Sequence, residues 1–385
     1  MDSNFVQEIL DLLAQMVSKP SVDGAEASIS DFLTEYVGSM GMTVRQEEVL
    51  PDRKNVVAEY VFGSGGKTVL LNSHMDVVDP GVGWDTNPYT LVVKGDRAYG
   101  RGATDAKGAL ACLTIALKHI INNPCGINGR VLYTAVVDEE ACSYGARKLC
   151  EGDNISADYA IIGEPTLSRV AIGHNGSLRP VISIKGLSAH SSNPEKGINA
   201  IRIAAYISHL VDEVADEISK IVNQTTGKPS IAITKINGGI KENMLPDSCE
   251  LVIDRRMVPG EKEEELIKRF ERLCQDAQAA FPGSVVGIDH YLVTTGPASE
   301  VAPDSKIAQI AYRACELATG EKQAPFGLTC NTDMNHFIKK GIPSVIVGPG
   351  TITVAHMPNE YVELSELEKA CKADESIIRS LLIEG

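Results

Sequence analysis

Val69-Leu70-Leu71-Asn72-Ser73-His74-Met75-Asp76-Val77-Val78-Asp79 begins as a short apolar run and ends in one histidine and two aspartates. The run has the length and flanks of a buried strand, and such a strand does not continue into ionisable side chains unless something at its end uses them. Two later stretches repeat the event: Arg130 to Val137 leads into Asp138-Glu139-Glu140, and Asp158 to Ile162 leads into Gly163-Glu164-Pro165. Between the first stretch and the second, Tyr99-Gly100-Arg101-Gly102-Ala103-Thr104-Asp105-Ala106-Lys107-Gly108 places Asp105 in a glycine-rich turn that opens a helix near Ala106. Ligand crevices of open α/β sheets lie at the carboxyl ends of the strands. The pattern therefore predicts one crevice lined by imidazole and carboxylate groups.

The flanking chain supports this layering. Ser3 is a candidate cap for a helix with Val6, Ile9, Leu10, Leu13, Met16 and Val17 at helical spacing, and a second helix carries Ile29, Phe32, Leu33, Tyr36, Val37 and Met40 up to Gly41. Strand-like runs follow over 42–50, 55–62 and 67–72. From about Arg179 the texture changes to a β-α-β-β-α-β order, with strands near 181–185, 230–236, 249–255 and 285–292 and helices near 197–222 and 261–281. That order fits a small two-layer domain with an antiparallel sheet. Helix, strand and helix then resume over 305–317, 344–347 and 365–382. At 385 residues the chain exceeds one ordinary core. The expected division is a catalytic α/β domain over 1–178 and 292–385, with an inserted domain over 179–291.

Composition excludes several classes of partner. A formal charge of -15 argues against nucleic acid and against an anionic membrane surface, because the field repels both. Nine cysteines, without a Cys-x-x-Cys pair, read as reduced core residues. The amino-terminal stretch lacks the basic flank and apolar core of a signal sequence, and no run reaches the length of a membrane span. The expectation is a soluble cytoplasmic protein.

His74 and Asp76, two apart on an extended chain, project to the same face, so one can ligate a metal while the other holds the imidazole tautomer. Each motif alone also has a plainer reading: a polar pair at a strand end, a helix cap at Asp105, a solvated turn at Glu139-Glu140. Together they crowd negative charge into one crevice, which costs folding energy unless a cation neutralises it. Mixed imidazole and carboxylate donors suit zinc. A two-metal site also needs one carboxylate left free to move a proton, and the Glu139-Glu140 pair could supply both a ligand and that base.

These stretches, with Gly163-Glu164-Pro165-Thr166 and the late Ala355-His356-Met357-Pro358-Asn359-Glu360, resemble the ordered signature of the M20 metallopeptidase family, which includes acetylornithine deacetylase and succinyl-diaminopimelate desuccinylase. The resemblance spans nearly the whole chain. It implies a mixed-sheet, zinc-exopeptidase-like catalytic domain with an inserted ferredoxin-like lid and dimerisation domain. It further implies two zinc ions, with cobalt or manganese as alternatives: one on His74, Asp105 and Glu164, the other on Asp105, Glu140 and His356. Asp105 would bridge, Asp76 would orient His74, and Glu139 would be the general base. A cis peptide is implied at Asp105-Ala106.

In the lid, Gly186 to Pro194 resembles the motif whose histidine, here His190, reaches a neighbouring subunit's site in a homodimer and stabilises the oxyanion. Asn243 and Arg256 match positions that contact a substrate carboxylate, a task suited to the planar guanidinium. Two departures stand out. Cys142 occupies a position where glycine is usual, and Gly327 to Met334, holding the substrate-binding candidates Thr332 and Asp333, matches neither the deacetylase nor the desuccinylase version. His119, His174, His209, His290 and His336 fall outside the matched motifs and read as structural or surface residues. The implied activity is hydrolysis of an N-acyl group, acetyl or succinyl in type, from an amino acid or related carboxylate. A dipeptidase or carboxypeptidase acting on short peptides is the alternative, and a silent metal- or amino-acid-binding protein the remote one.

Overall fold

The computed structural model describes residues 3–22, 24–152 and 154–384. They fall into two compact units, one from the described residues within 1–173, 300–327 and 332–385, the other from 174–299 with 328–331.

A nine-stranded sheet organises the first unit. Its central order is Arg53–Val61, Arg130–Val136, Thr68–His74, Tyr159–Gly163 and Ser344–Val347. The last four of these run parallel, with His74 opposite Val136, Asn72 opposite Ile162 and Val347 opposite Gly163. Their carboxyl ends therefore emerge along one edge, which brings the ends of three sequence-distant strands side by side. Thr68–His74 is buried at every position, as expected of a parallel strand covered on both faces. Thr43–Leu50 adds an antiparallel hairpin partner at the outside and is only partly buried.

Helix Lys107–Asn122 packs on this sheet and on Leu364–Glu384, with Ser3–Val17 against both. Nearly every residue of Lys107–Asn122 is buried, so its apolar stripe has widened to most of its circumference. The capping side chain expected of Ser3 lies outside the described residues. Among them, no helix is long and apolar enough to cross a membrane.

The second unit has strand order Ser230–Gly238, Ser248–Met257, Gly176–Lys185, Val285–Leu292, all antiparallel. Helices Ala200–Ile218 and Glu263–Ala280 complete the β-α-β-β-α-β sequence of a ferredoxin-like layer pair. The Asn199 side chain accepts the N–H groups of Ile201 and Arg202 and starts the first helix, while three glutamates in the first turn of the second complement its dipole. Ile182, Ile184, Ile203, Ile207, Leu251 and Phe270 form its separate core.

Short elements escape sequence patterns. Val92–Lys94, Arg97–Tyr99 and Tyr361–Glu363 form a small antiparallel sheet, and helices Tyr144–Cys150 and Met334–Lys339 span two turns or fewer. None is long enough to display a period.

Candidate metal centre

Among the described residues, two groups of side chains could hold an ion: His74, Asp105 and Glu164, and Asp105, Glu140 and His356, the ligand atoms of each lying within 4.8 Å of one another. Asp105 belongs to both. Its Oδ1 lies 3.2 Å from His74 Nε2 and its Oδ2 lies 3.4 Å from His356 Nε2, so each carboxylate oxygen faces a different imidazole. His356 Nε2 also lies 3.0 Å from Glu140, and Glu164 is 3.8 Å from His74 Nε2.

The sheet supplies most of this convergence. His74 closes one central strand, Glu164 directly follows the neighbouring strand, and Glu139 and Glu140 follow the strand on the other side. Gly163 lets the Glu164 strand approach closely, since a Cβ there would sit 2.9 Å from Leu113 and 3.2 Å from the Ser73 Cβ. Gly102 turns the Asp105 loop at a φ of 83°, and the Asp105-Ala106 peptide is cis. His356 is presented from a loop at a φ of 62°, a left-handed conformation uncommon for a residue with a side chain.

His74 Nδ1 donates to the backbone carbonyl of Asp76 at 2.9 Å. A carbonyl can only accept, so Nδ1 carries a proton and Nε2 is the ring nitrogen turned towards Asp105 and Glu164. The expected orienting role of the Asp76 side chain thus falls to its main chain: the nearer carboxylate oxygen is 3.7 Å from Nδ1. The carboxylate instead accepts the backbone N–H groups of Glu139 at 3.2 Å and Glu140 at 3.0 Å. The preceding Asp138, at a φ of 70°, pairs with Arg53, which also pairs with the buried Glu26.

Burial, reinforced by Glu164, Asp333 and Glu140, pushes the Glu139 carboxyl well above the usual range, with His74 opposing. Burial also raises Glu164, against the pull of His74. Glu140 is pushed up to about 7 by burial and by Asp105, with the His356 hydrogen bond working the other way. Burial disfavours the charged His74 ring, yet Glu164, Asp105, Asp76 and Glu139 outweigh it and raise its pKa well above normal. Hydrogen bonds that the ring donates to the Asp105 and Glu140 carboxylates raise His356 to about 10. More carboxylates than imidazoles share the space, and added positive charge would favour all of the ionised carboxylates at once. A donor set of two histidines and three carboxylates, one common to both groups, fits a pair of borderline divalent cations.

The other candidates belong to neither group of side chains. Thr332 and Asp333 are buried at the start of Met334–Lys339, where Asp333 Oδ2 accepts the Asn72 amide at 3.3 Å. Asn72 also accepts from Thr134 at 2.9 Å; this polar residue inside an apolar strand was the available signal for a supporting role, and sequence reasoning missed it. In the second unit, His190 and Asn243 are exposed on adjoining loops, where Ser191 N–H donates to the Asn243 carbonyl at 3.0 Å. His190 Nδ1 lies 2.8 Å from Ser192 Oγ. The Arg256 guanidinium is engaged by the Asp254 carboxylate at 3.1 Å and by Asn331 at 3.4 Å. None of His119, His174, His209, His290 and His336 joins either group of ligands.

A sequence model described as peptidase family M20/M25/M40 matches residues 70–380. An acetylornithine deacetylase of Proteus mirabilis is 30% identical over 373 residues, covering 93% of each chain. Among solved structures, an aminopeptidase of Bacillus cereus aligns with a TM-score of 0.78 at 22% identity, covering 98% of both chains. A dinuclear metal-binding peptidase of the M20 family from Bacillus subtilis aligns at 0.76 and 16% identity, covering 99% of both chains.

Proposed function

This chain belongs to peptidase family M20/M25/M40, and we propose that within it the chain is a two-metal amide hydrolase that removes an acetyl- or succinyl-type group from the nitrogen of an amino acid or related carboxylate. The single observation that carries the two-metal reading is the split of the Asp105 carboxylate between His74 and His356.

In this reading His74, Asp105 and Glu164 hold one zinc ion, and Asp105, Glu140 and His356 the other; cobalt or manganese suits the same donors. Bound there, the ions would polarise the amide carbonyl and lower the pKa of water. Glu139, outside both ligand groups, takes the proton from the attacking water and delivers it to the leaving nitrogen. Its position beside both ligand groups but in neither supports that role, which needs a carboxylate left free of metal. The Asp76 carboxylate keeps the Glu139-Glu140 turn at a set distance from His74. The second unit serves as lid and as the contact of a homodimer: His190 donates to the oxyanion of substrate on the neighbouring subunit, and Asn243 and Arg256 receive the substrate carboxylate. For Arg256 this entails exchanging Asp254 as its partner. Nine cysteines, with no disulfide among the described residues, support a reducing, cytoplasmic setting.

The test is a parallel assay of zinc-loaded protein on N-acetyl amino acids, N-succinyl amino acids and dipeptides, each with free and with esterified carboxylate. Hydrolysis of the N-acyl compounds, lost on esterification, is expected. Cleavage of dipeptides alone would replace the deacylase with a dipeptidase, and binding of metal without turnover would leave a silent binding protein.

A further inference from the structure

Glu360 is fully buried, and its carboxylate accepts four N–H donors. Oε2 takes Arg101 Nη1 at 2.5 Å and Gly102 N at 3.1 Å; Oε1 takes Thr104 N at 2.8 Å and Asp105 N at 3.0 Å. Only an ionised carboxylate offers enough acceptor sites for such a set. Two more bonds join the same segments, from Gly100 N to the Glu360 carbonyl at 3.0 Å and from Thr104 Oγ1 to the Tyr361 carbonyl at 2.5 Å. Arg101 is itself held in place, with Nη2 at 3.3 Å from the Asp79 carbonyl and its guanidinium over the Trp84 ring.

A buried ion pair is weak as a stabilising device, because desolvation consumes most of the attraction. What this one provides is direction. Three of the four donors are consecutive or near-consecutive main-chain groups of the turn that presents Asp105, and the last is the N–H of Asp105 itself. Glu360 also lies four residues after His356 on the same loop. One side chain therefore registers the Asp105 turn against the His356 loop.

We propose that Glu360 is a positioning residue that sets Asp105 and His356 at the separation needed to share an ion, with Arg101 as its fixed counter-charge. This rests on the reading that Asp105 and His356 hold metal. Glu360 does not touch the ion or the substrate; it acts through the Asp105 main chain.

Glu360→Gln keeps the shape but turns one acceptor oxygen into an amide that cannot accept from the N–H groups facing it. In a cobalt titration of the full chain, wild type is expected to bind two ions. The variant should lose about 10- to 100-fold in affinity for one of them, the effect typical of removing a partner behind a ligand. Its visible cobalt spectrum should change, and kcat should fall while KM stays near wild type. Arg101→Lys, which keeps the charge and all three main-chain donors, should weaken the same ion by a smaller factor, and serves if Glu360→Gln does not fold. Unaltered affinity and spectrum in these variants, with only the melting temperature lowered, would reduce Glu360 to a structural clamp and overturn the proposal. Wild type that binds cobalt no better than Asp105→Ala would instead remove the metal reading itself.

Discussion

The carboxylate of Asp76 accepts the backbone N–H of Glu140 at 3.0 Å. With the neighbouring bond from Glu139 N–H, this ties the strand that ends in His74 to the turn that carries the proposed base and one ligand. The two segments are more than sixty residues apart in sequence, and one side chain makes them a unit. Asp76→Ala should therefore impair both halves: metal affinity and kcat are each expected to fall about 10- to 100-fold. Asp76→Asn retains one acceptor oxygen and should lie between. Equilibrium zinc competition and steady-state kinetics check this, and wild-type values for Asp76→Ala would dismiss the tie.

Glu139 belongs to neither ligand group. Glu139→Gln should accordingly keep its full complement of metal while kcat drops about 10²- to 10⁴-fold, the usual loss on removing a general acid-base. Metal analysis beside turnover separates the roles. Unchanged turnover, or loss of one ion together with activity, would show that the base has been misassigned.

An ion bound only by the folded chain stabilises it by mass action, about 2.7 kcal/mol at a free concentration one hundred times Kd. Chelation should abolish turnover and lower the melting temperature, and zinc, cobalt or manganese should restore both. His356→Ala should shrink the metal-dependent rise. A melting temperature indifferent to chelator would count against either ligand group holding an ion.

Outside both ligand groups, on helix Leu364–Glu384, Asp374 is buried with neither carboxylate oxygen hydrogen-bonded. Burial pushes its pKa well above the usual carboxylate range. A folded pKa raised above the unfolded value means that stability is fully present below the unfolded pKa, near 4, and is lost as pH rises towards the folded value. The loss is about 1.4 kcal/mol per pH unit. Asp374→Asn titrates in neither state. Its melting temperature should gain on wild type as pH rises above about 4, whereas a constant difference would mean that Asp374 ionises normally.

The order of apolar runs, each closing on His74, Glu139-Glu140 or Glu164, was legible from residue type and period alone, because side-chain alternation and strand burial are local properties of the chain. The same holds for the β-α-β-β-α-β stretch, whose strand Val285–Leu292 has the bounds read from sequence, and for Ser344–Val347 in the larger sheet. Three-residue strands such as Tyr361–Glu363 were not legible, being too short to carry a pattern. Nor were the partners of individual polar atoms. That Asp76 turns its main chain to His74 and its carboxylate to Glu139 and Glu140, that Asp105 divides its oxygens between two imidazoles, and that Glu360 holds the Asp105 turn across 255 residues are facts of packing. Residue identity determines which groups must find partners when buried. Which partner each one meets depends on angles and distances of a few tenths of an ångström, and those are set only when the parallel strands align their ends and the surrounding helices close over them.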